Sequence, residues 1–158
     1  FPKTLLTIVA KPQHEGEEGE LPRLQALIRD KELSPFVRIL GVRPDVRQLM
    51  GWMDVGVIPS ISSEMNCRVA VEFFSAGTPV AAFPTGALPE VVEDGVSGLV
   101  APSHEPADLA TMLERLAADR GMRKRLGAGA RASAEARFSR AGFMSETLSV
   151  FETALAAP

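Results

Sequence analysis

Two carboxylates, Glu64 and Glu72, stand eight positions apart in this chain, with Met65-Asn66-Cys67-Arg68 beginning the stretch between them. An apolar run stopping at Pro59 precedes the pair, and a helix-like pattern starts near Cys67 and ends at Gly77. Glu72 therefore lies inside a helix. At about 100° per residue, Val69, Phe73 and Ala76 share one side, and Glu72 is within roughly 60° of all but Phe73. A carboxylate beside an apolar face costs free energy unless something donates hydrogen bonds to it. Two readings stay open: a helix-edge glutamate reaching water, or a carboxylate that accepts hydrogen bonds from ribose hydroxyls. The second draws on position, because the helix follows a loop at the C-terminal end of a strand, where open α/β sheets bind ligands. Its N-terminus would aim N–H groups and partial positive charge at a phosphate.

The elements that must carry these residues can be read in order. Leu5 to Lys11 predicts a strand, and residues 12 to 20 an acidic, solvated loop. Leu21, Leu24, Leu27 and Ile28 recur at helical spacing, giving an amphipathic helix over Pro22 to Glu32. Phe36 to Leu40 is a second strand, Pro44 to Met53 a short helix and Asp54 to Pro59 a third strand. After the glutamate helix come a strand from Pro79 to Phe83, a short helix from Ala87 to Glu93 and a last strand from Gly98 to Ala101. Asp108 to Ala118 is a helix with Leu109, Met112, Leu113 and Leu116 on one face, and Arg120 to Ala157 is helical. Alternating strands and helices of this length imply parallel, right-handed crossovers and an α/β fold.

Composition limits the function classes. With 158 residues, 46% of them hydrophobic, the chain can bury one sizeable core, and a single domain over 1–158 is expected. One cysteine, Cys67, excludes an internal disulfide framework and points to a reducing, cytoplasmic setting. His14 and His104 are isolated and read as surface loop residues. There is no Asp-x-Asp motif and no histidine cluster, so neither metal nor cofactor is expected. The net charge of −3 argues against a nucleic-acid partner. Residues 73 to 89 are uncharged, but Pro79, Pro84 and Pro89 rule out a membrane span. The opening at Phe1 suggests a piece of a longer chain. Seven basic residues (Arg120, Arg123, Lys124, Arg125, Arg131, Arg137 and Arg140) meet one acid, Glu135, across 120 to 140. That face is either solvated or meets anionic phospholipid at the inner face of a membrane.

Glu64 and Glu72, followed by Ala76-Gly77-Thr78-Pro79-Val80 and Gly86-Ala87-Leu88-Pro89-Glu90, resemble the donor-binding, C-terminal half of retaining, family 4-type glycosyltransferases. Asp54-Val55-Gly56-Val57-Ile58-Pro59-Ser60 and Asp94-Gly95-Val96-Ser97-Gly98-Leu99-Val100 match the same family, and the resemblance covers most of residues 36 to 119. It implies a Rossmann-like parallel sheet within the two-domain GT-B arrangement. It also implies a nucleotide-diphosphate-sugar as substrate, transferred with retention to a glycan or lipid-linked acceptor held by an N-terminal domain outside this chain. By the resemblance, Glu64 is the catalytic residue, orienting the donor hexose and stabilising positive charge near the reacting carbon. Glu72 would bind the ribose, and the amides of Asn66, Cys67, Arg68 and Val69 would hold phosphate, with the Arg68 charge in support. Val42 and Arg43 would touch the base. Arg43 reads equally well as a solvent-exposed arginine. The helix from Ala141 to Leu155 is placed to cross back to the partner domain.

Two departures from the family pattern stand out. Relatives carry Gly-Phe-Gly-like residues after the first glutamate, whereas the loop here is Met65-Asn66-Cys67-Arg68, so the sugar pocket is expected to be shaped differently. The family's opening strand and helix, with an arginine and a lysine for the diphosphate, should precede Leu5 and are absent. In an order 3-2-1-4-5-6 the absent strand is the central one. Three routes would close the gap: direct pairing of the flanking strands, a strand swapped from a second copy in a homodimer, or a rearranged sheet. The fragment alone is expected to be inactive. Two other classes remain open, a non-catalytic nucleotide-sugar-binding module and a sugar-nucleotide epimerase of the same architecture.

Overall fold

The computed structural model describes residues 4–9 and 19–156. His14, the acidic stretch at 12–18 and the end of the first predicted strand at 10–11 lie outside the described residues. The chain divides into two compact units, Phe1–Val46 and Arg47–Pro158.

The first unit holds β1 (Leu6–Val9), α1 (Glu20–Asp30) and β2 (Val37–Leu40), with β1 and β2 parallel and Leu6 opposite Val37. Arg43 lies after β2 and is held by Asp45 through two hydrogen bonds, of 2.8 and 2.7 Å. That hydrogen bond keeps the Asp45 carboxyl below its usual range.

The second unit is built on β3 (Gly56–Ile58), β4 (Val80–Ala82) and β5 (Gly98–Val100), all parallel, with β4 in the centre. All three residues of β4 are buried, as expected of a strand covered on both faces. Side chains alternate along it. Ala81 and Phe83 join Leu99, Ala101, Met112, Leu116 and Leu126 in one apolar cluster. That cluster ties the sheet to α5 (Pro106–Ala118) and α6 (Arg120–Arg137). Helices α3 (Arg68–Ser75) and α4 (Leu88–Val91) make the crossovers of this sheet, and α2 (Val46–Trp52) precedes it. Phe74 of α3 is fully buried, which contributes about 1.5–3 kcal/mol by transfer alone. Thr78, also buried, donates to the Met50 carbonyl at 2.8 Å and so fastens the end of α3 to α2.

The predicted α/β class with parallel strands is what the chain adopts. Its strands form two sheets among the described residues, β1-β2 and β3-β4-β5.

Three arginines of helix α6 reach other helices. Arg123 donates to the carbonyls of Leu116 and Ala117 at the end of α5, and also pairs with Asp54 at 3.2 Å. Arg131 donates to the Ser75 carbonyl, the last of α3, at 2.6 Å. Arg137 donates to the Glu90 carbonyl of α4 at 2.7 Å. Three arginines of one helix thus satisfy the open carbonyl ends of three others, where cations are also favoured by the helix dipole. Arg131 keeps 57% of its side chain exposed while making its bond to the Ser75 carbonyl. Arg120, Lys124, Arg125 and Arg140 make no ion pair among the described residues. The last helix, α7 (Arg140–Ala156), buries none of its residues, and Phe143, Leu148, Val150, Phe151 and Leu155 are exposed. No described helix is long and apolar enough to cross a membrane.

Candidate functional site

The three parallel strands β3, β4 and β5 end on the same edge, and the loops leaving that edge are tied to one another. The β3–α3 loop carries Ser60 and Glu64. Ser60 donates from its hydroxyl to Glu64 Oε2 at 3.0 Å, which turns the half-buried carboxylate back toward the end of β3. The Glu64 backbone is held separately: its carbonyl accepts from the Ala87 N–H at 2.9 Å. Gly86 makes this possible, because a Cβ there would strike that same carbonyl. Its φ of +54° is also one that L side chains rarely adopt. Here the Gly-Ala-Leu-Pro-Glu stretch has a mechanical role, seating the glutamate loop on the β4–α4 loop.

Thr85, which is 5% exposed, links all three loops. Its hydroxyl meets the Ser60 carbonyl on one side and His104 Nε2, at 2.9 Å, on the other. The His104 ring also packs on Phe83, with centroids 5.7 Å apart. His104 is exposed, as a surface loop residue should be, yet its ring is anchored at the strand ends.

Cys67 is fully buried and stands just before α3 with φ 46° and ψ 30°, a left-handed conformation for a non-glycine residue. Holding a residue with a Cβ in that conformation costs about 1–2 kcal/mol. Its thiol lies 3.8 Å from the Glu64 carbonyl oxygen. Burial pushes the thiol's pKa up, and the Glu64 and Glu90 carboxylates add to the shift. Asn66, Arg68 and Val69 are exposed around the start of α3. Arg68 reaches Glu72 at 3.8 Å, a pair whose side chains are 81% and 32% exposed.

Glu64, Asn66, Cys67, Arg68, Val69 and Glu72 are therefore placed along one loop and the helix it opens. Val42 and Arg43 belong to the first unit; Val42 is exposed, and the Arg43 guanidinium is engaged by Asp45. A cavity of about 230 Å³ lined by Asp94, Val100, Asp108, Thr111 and Arg115 lies elsewhere, and neither glutamate lines it. Ser60, Thr85 and His104 are absent from the sequence-derived site. Ser60 carried a signal, a hydroxyl at a strand end four positions before Glu64. His104 carried none, since its partner is nineteen residues away and only the fold joins them.

The sequence profile described as "Glycosyl transferases group 1" matches residues 3–119. The chain belongs to the group 1 glycosyl transferases. This transferase chain is 37% identical over 131 residues to a D-inositol 3-phosphate glycosyltransferase from Corynebacterium kroppenstedtii, covering 82% of this chain and 29% of the relative. It is 39% identical over 125 residues to another from Streptomyces bingchenggensis, covering 72% of this chain and 27% of the relative. It thus spans less than a third of the length of those curated relatives. HepE from Anabaena, solved in complex with UDP, superposes with a TM-score of 0.86 at 30% identity, over 95% of this chain and 42% of that one. A glycosyltransferase from Rickettsia africae matches at TM-score 0.88 and 20% identity, over 98% of this chain and 41% of that one, a likeness of fold. The GT-B resemblance read from the glutamate motifs holds at the level of family and fold.

Proposed function

We propose that this transferase chain is the donor-binding domain of an enzyme that moves a hexose from UDP to an acceptor with retention at the anomeric carbon. The observation that carries the reading is the fixed Glu64 at the strand ends, gripped through its side chain by Ser60 and through its carbonyl by Ala87. A carboxylate held before substrate arrives stabilises charge that develops at a reacting carbon without reorganising. Glu72 accepts from the ribose hydroxyls, and the amides opening α3 hold diphosphate. UDP as the nucleotide rests on HepE, solved with UDP and with UDP-glucose. The curated relatives' name makes D-inositol 3-phosphate the first acceptor to try. An N-terminal acceptor domain, met by the exposed apolar side chains of α7, belongs to the same proposal.

Incubating the complete polypeptide with UDP-, GDP- and ADP-hexoses, with and without acceptor, tests it by mass spectrometry and NMR of the product anomer. Transfer from a UDP-hexose with the donor's anomeric configuration kept is the expected result. Inversion overturns the retaining mechanism. Donor binding without turnover makes the chain a binding module, and epimer release makes it an epimerase.

A further inference from the structure

We infer that Thr85 and His104 are positioning residues for Glu64, acting through Ser60, so that a loop far along the chain sets the geometry of the reacting centre. The inference deepens the transferase reading above and rests on it. Proton accounting gives the direction of the chain. The Ser60 carbonyl is acceptor-only, so the one proton of the Thr85 hydroxyl goes to it. The Thr85 oxygen must then accept from His104, so His104 Nε2 carries a proton and donates across 2.9 Å. Ser60 continues the series in the same sense, donating its own hydroxyl to Glu64 Oε2 at 3.0 Å.

Four residues from three loops are thus tied in order: His104 to Thr85, Thr85 to the Ser60 backbone, and the Ser60 side chain to the carboxylate. Among the described residues Oε1 of Glu64 has no hydrogen-bond partner, which leaves it available to a ligand. Thr85 is nearly inaccessible to water, so water cannot readily replace a lost partner there. His104 is itself fixed by its ring against Phe83. The tie holds the backbone of the one residue whose hydroxyl touches Glu64. Neither residue is assigned a substrate contact. Their removal should therefore blunt the step in which Glu64 faces developing charge and leave donor binding nearly intact.

The test uses the complete polypeptide and compares kcat, donor KM and thermal midpoint for Thr85→Val, Thr85→Ser, His104→Phe and Ser60→Ala. Thr85→Val removes the hydroxyl but keeps the volume, and kcat should fall about tenfold with KM within about twofold. Thr85→Ser, which restores the hydroxyl, should return most of that loss. His104→Phe keeps the ring on Phe83 without the donor and should lower kcat about threefold to tenfold. In a Ser60→Ala background, Thr85→Val should add less than about twofold, because the route to Glu64 is already cut. Thr85→Val with wild-type kcat, or a full tenfold loss retained on top of Ser60→Ala, overturns the inference. Should a variant lose its fold, the Thr85→Ser and His104→Phe values decide alone. If the unmodified polypeptide transfers from no nucleotide sugar, it is the transferase reading that fails, and the inference fails with it.

Discussion

Changing Glu72 to glutamine separates the two readings of that carboxylate, because they put its energy in different places. In the folded chain its ion pair with Arg68 spans 3.8 Å, with side chains 81% and 32% exposed. A pair of that kind is worth about 0.3–0.5 kcal/mol, and the order here, base before acid along the helix, is the weaker one. For a domain of this size about 1 kcal/mol moves the midpoint by roughly 2–4 °C, so Glu72→Gln should shift it by only about 1 °C. A carboxylate accepting from ribose is another matter. Each hydrogen bond to a charged group contributes about 1.5–3 kcal/mol, so loss of one raises the Kd for UDP about tenfold to a hundredfold. Isothermal titration of UDP into the complete polypeptide reads the affinity, and a melt on the same samples reads the stability. An unchanged Kd beside an unchanged midpoint would mean that Glu72 is a helix-edge residue facing water, and the ribose assignment would be wrong.

Other expectations follow from the packing. Gly127 of α6 faces the Gly77 carbonyl so closely that a Cβ would strike it. Gly127→Ala gains about 1 kcal/mol of helix propensity but forces the backbones apart at a cost of about 1–3 kcal/mol, so chemical denaturation should show net loss. Asp119 caps α6 by accepting from the Met122 N–H at 2.8 Å, and Asp119→Ala should cost about 1 kcal/mol in the same assay. Cys67 is buried with its thiol pKa raised, so alkylation of the native chain at neutral pH should be far slower than of the denatured chain. Its folded pKa lies above the unfolded value, so its contribution is complete below the ordinary thiol range and declines as pH rises through the folded value. Stability measured across that alkaline window should fall less steeply in Cys67→Ala. Asp45 has the opposite sign: its carboxyl is held low by Arg43, so that contribution is present above the ordinary carboxylate range and lost as pH falls through the folded value.

Much of the fold was legible because strand and helix periodicities are local. The run from Pro79 to Phe83 reads as a buried strand from its apolar residues alone, and it is β4. The helix read from Asp108 to Ala118 is α5, which begins two residues earlier at Pro106, and the helical stretch from Arg120 divides into α6 and α7. The two glutamates were legible as well, since motif spacing reports a loop followed by a helix. The arginines of α6 show where such reading stops. Composition presents Arg123, Arg131 and Arg137 as a charged face, but each reaches a carbonyl on a different helix, the nearest only six or seven residues away and the others 46 to 56.

By itself the sequence determined the alternation of strands and helices, the placing of Glu64 in a loop and Glu72 in a helix, and the family. These depend on neighbours within a few turns, where side-chain period and backbone preference act directly. Only the tertiary structure decided that Gly86 exists to admit the Glu64 carbonyl, that Cys67 keeps a glycine-like backbone, and that His104 reaches Thr85. Those facts concern residues brought together by crossovers, and no pattern along the chain encodes the distance between two loops until the strands beneath them have paired.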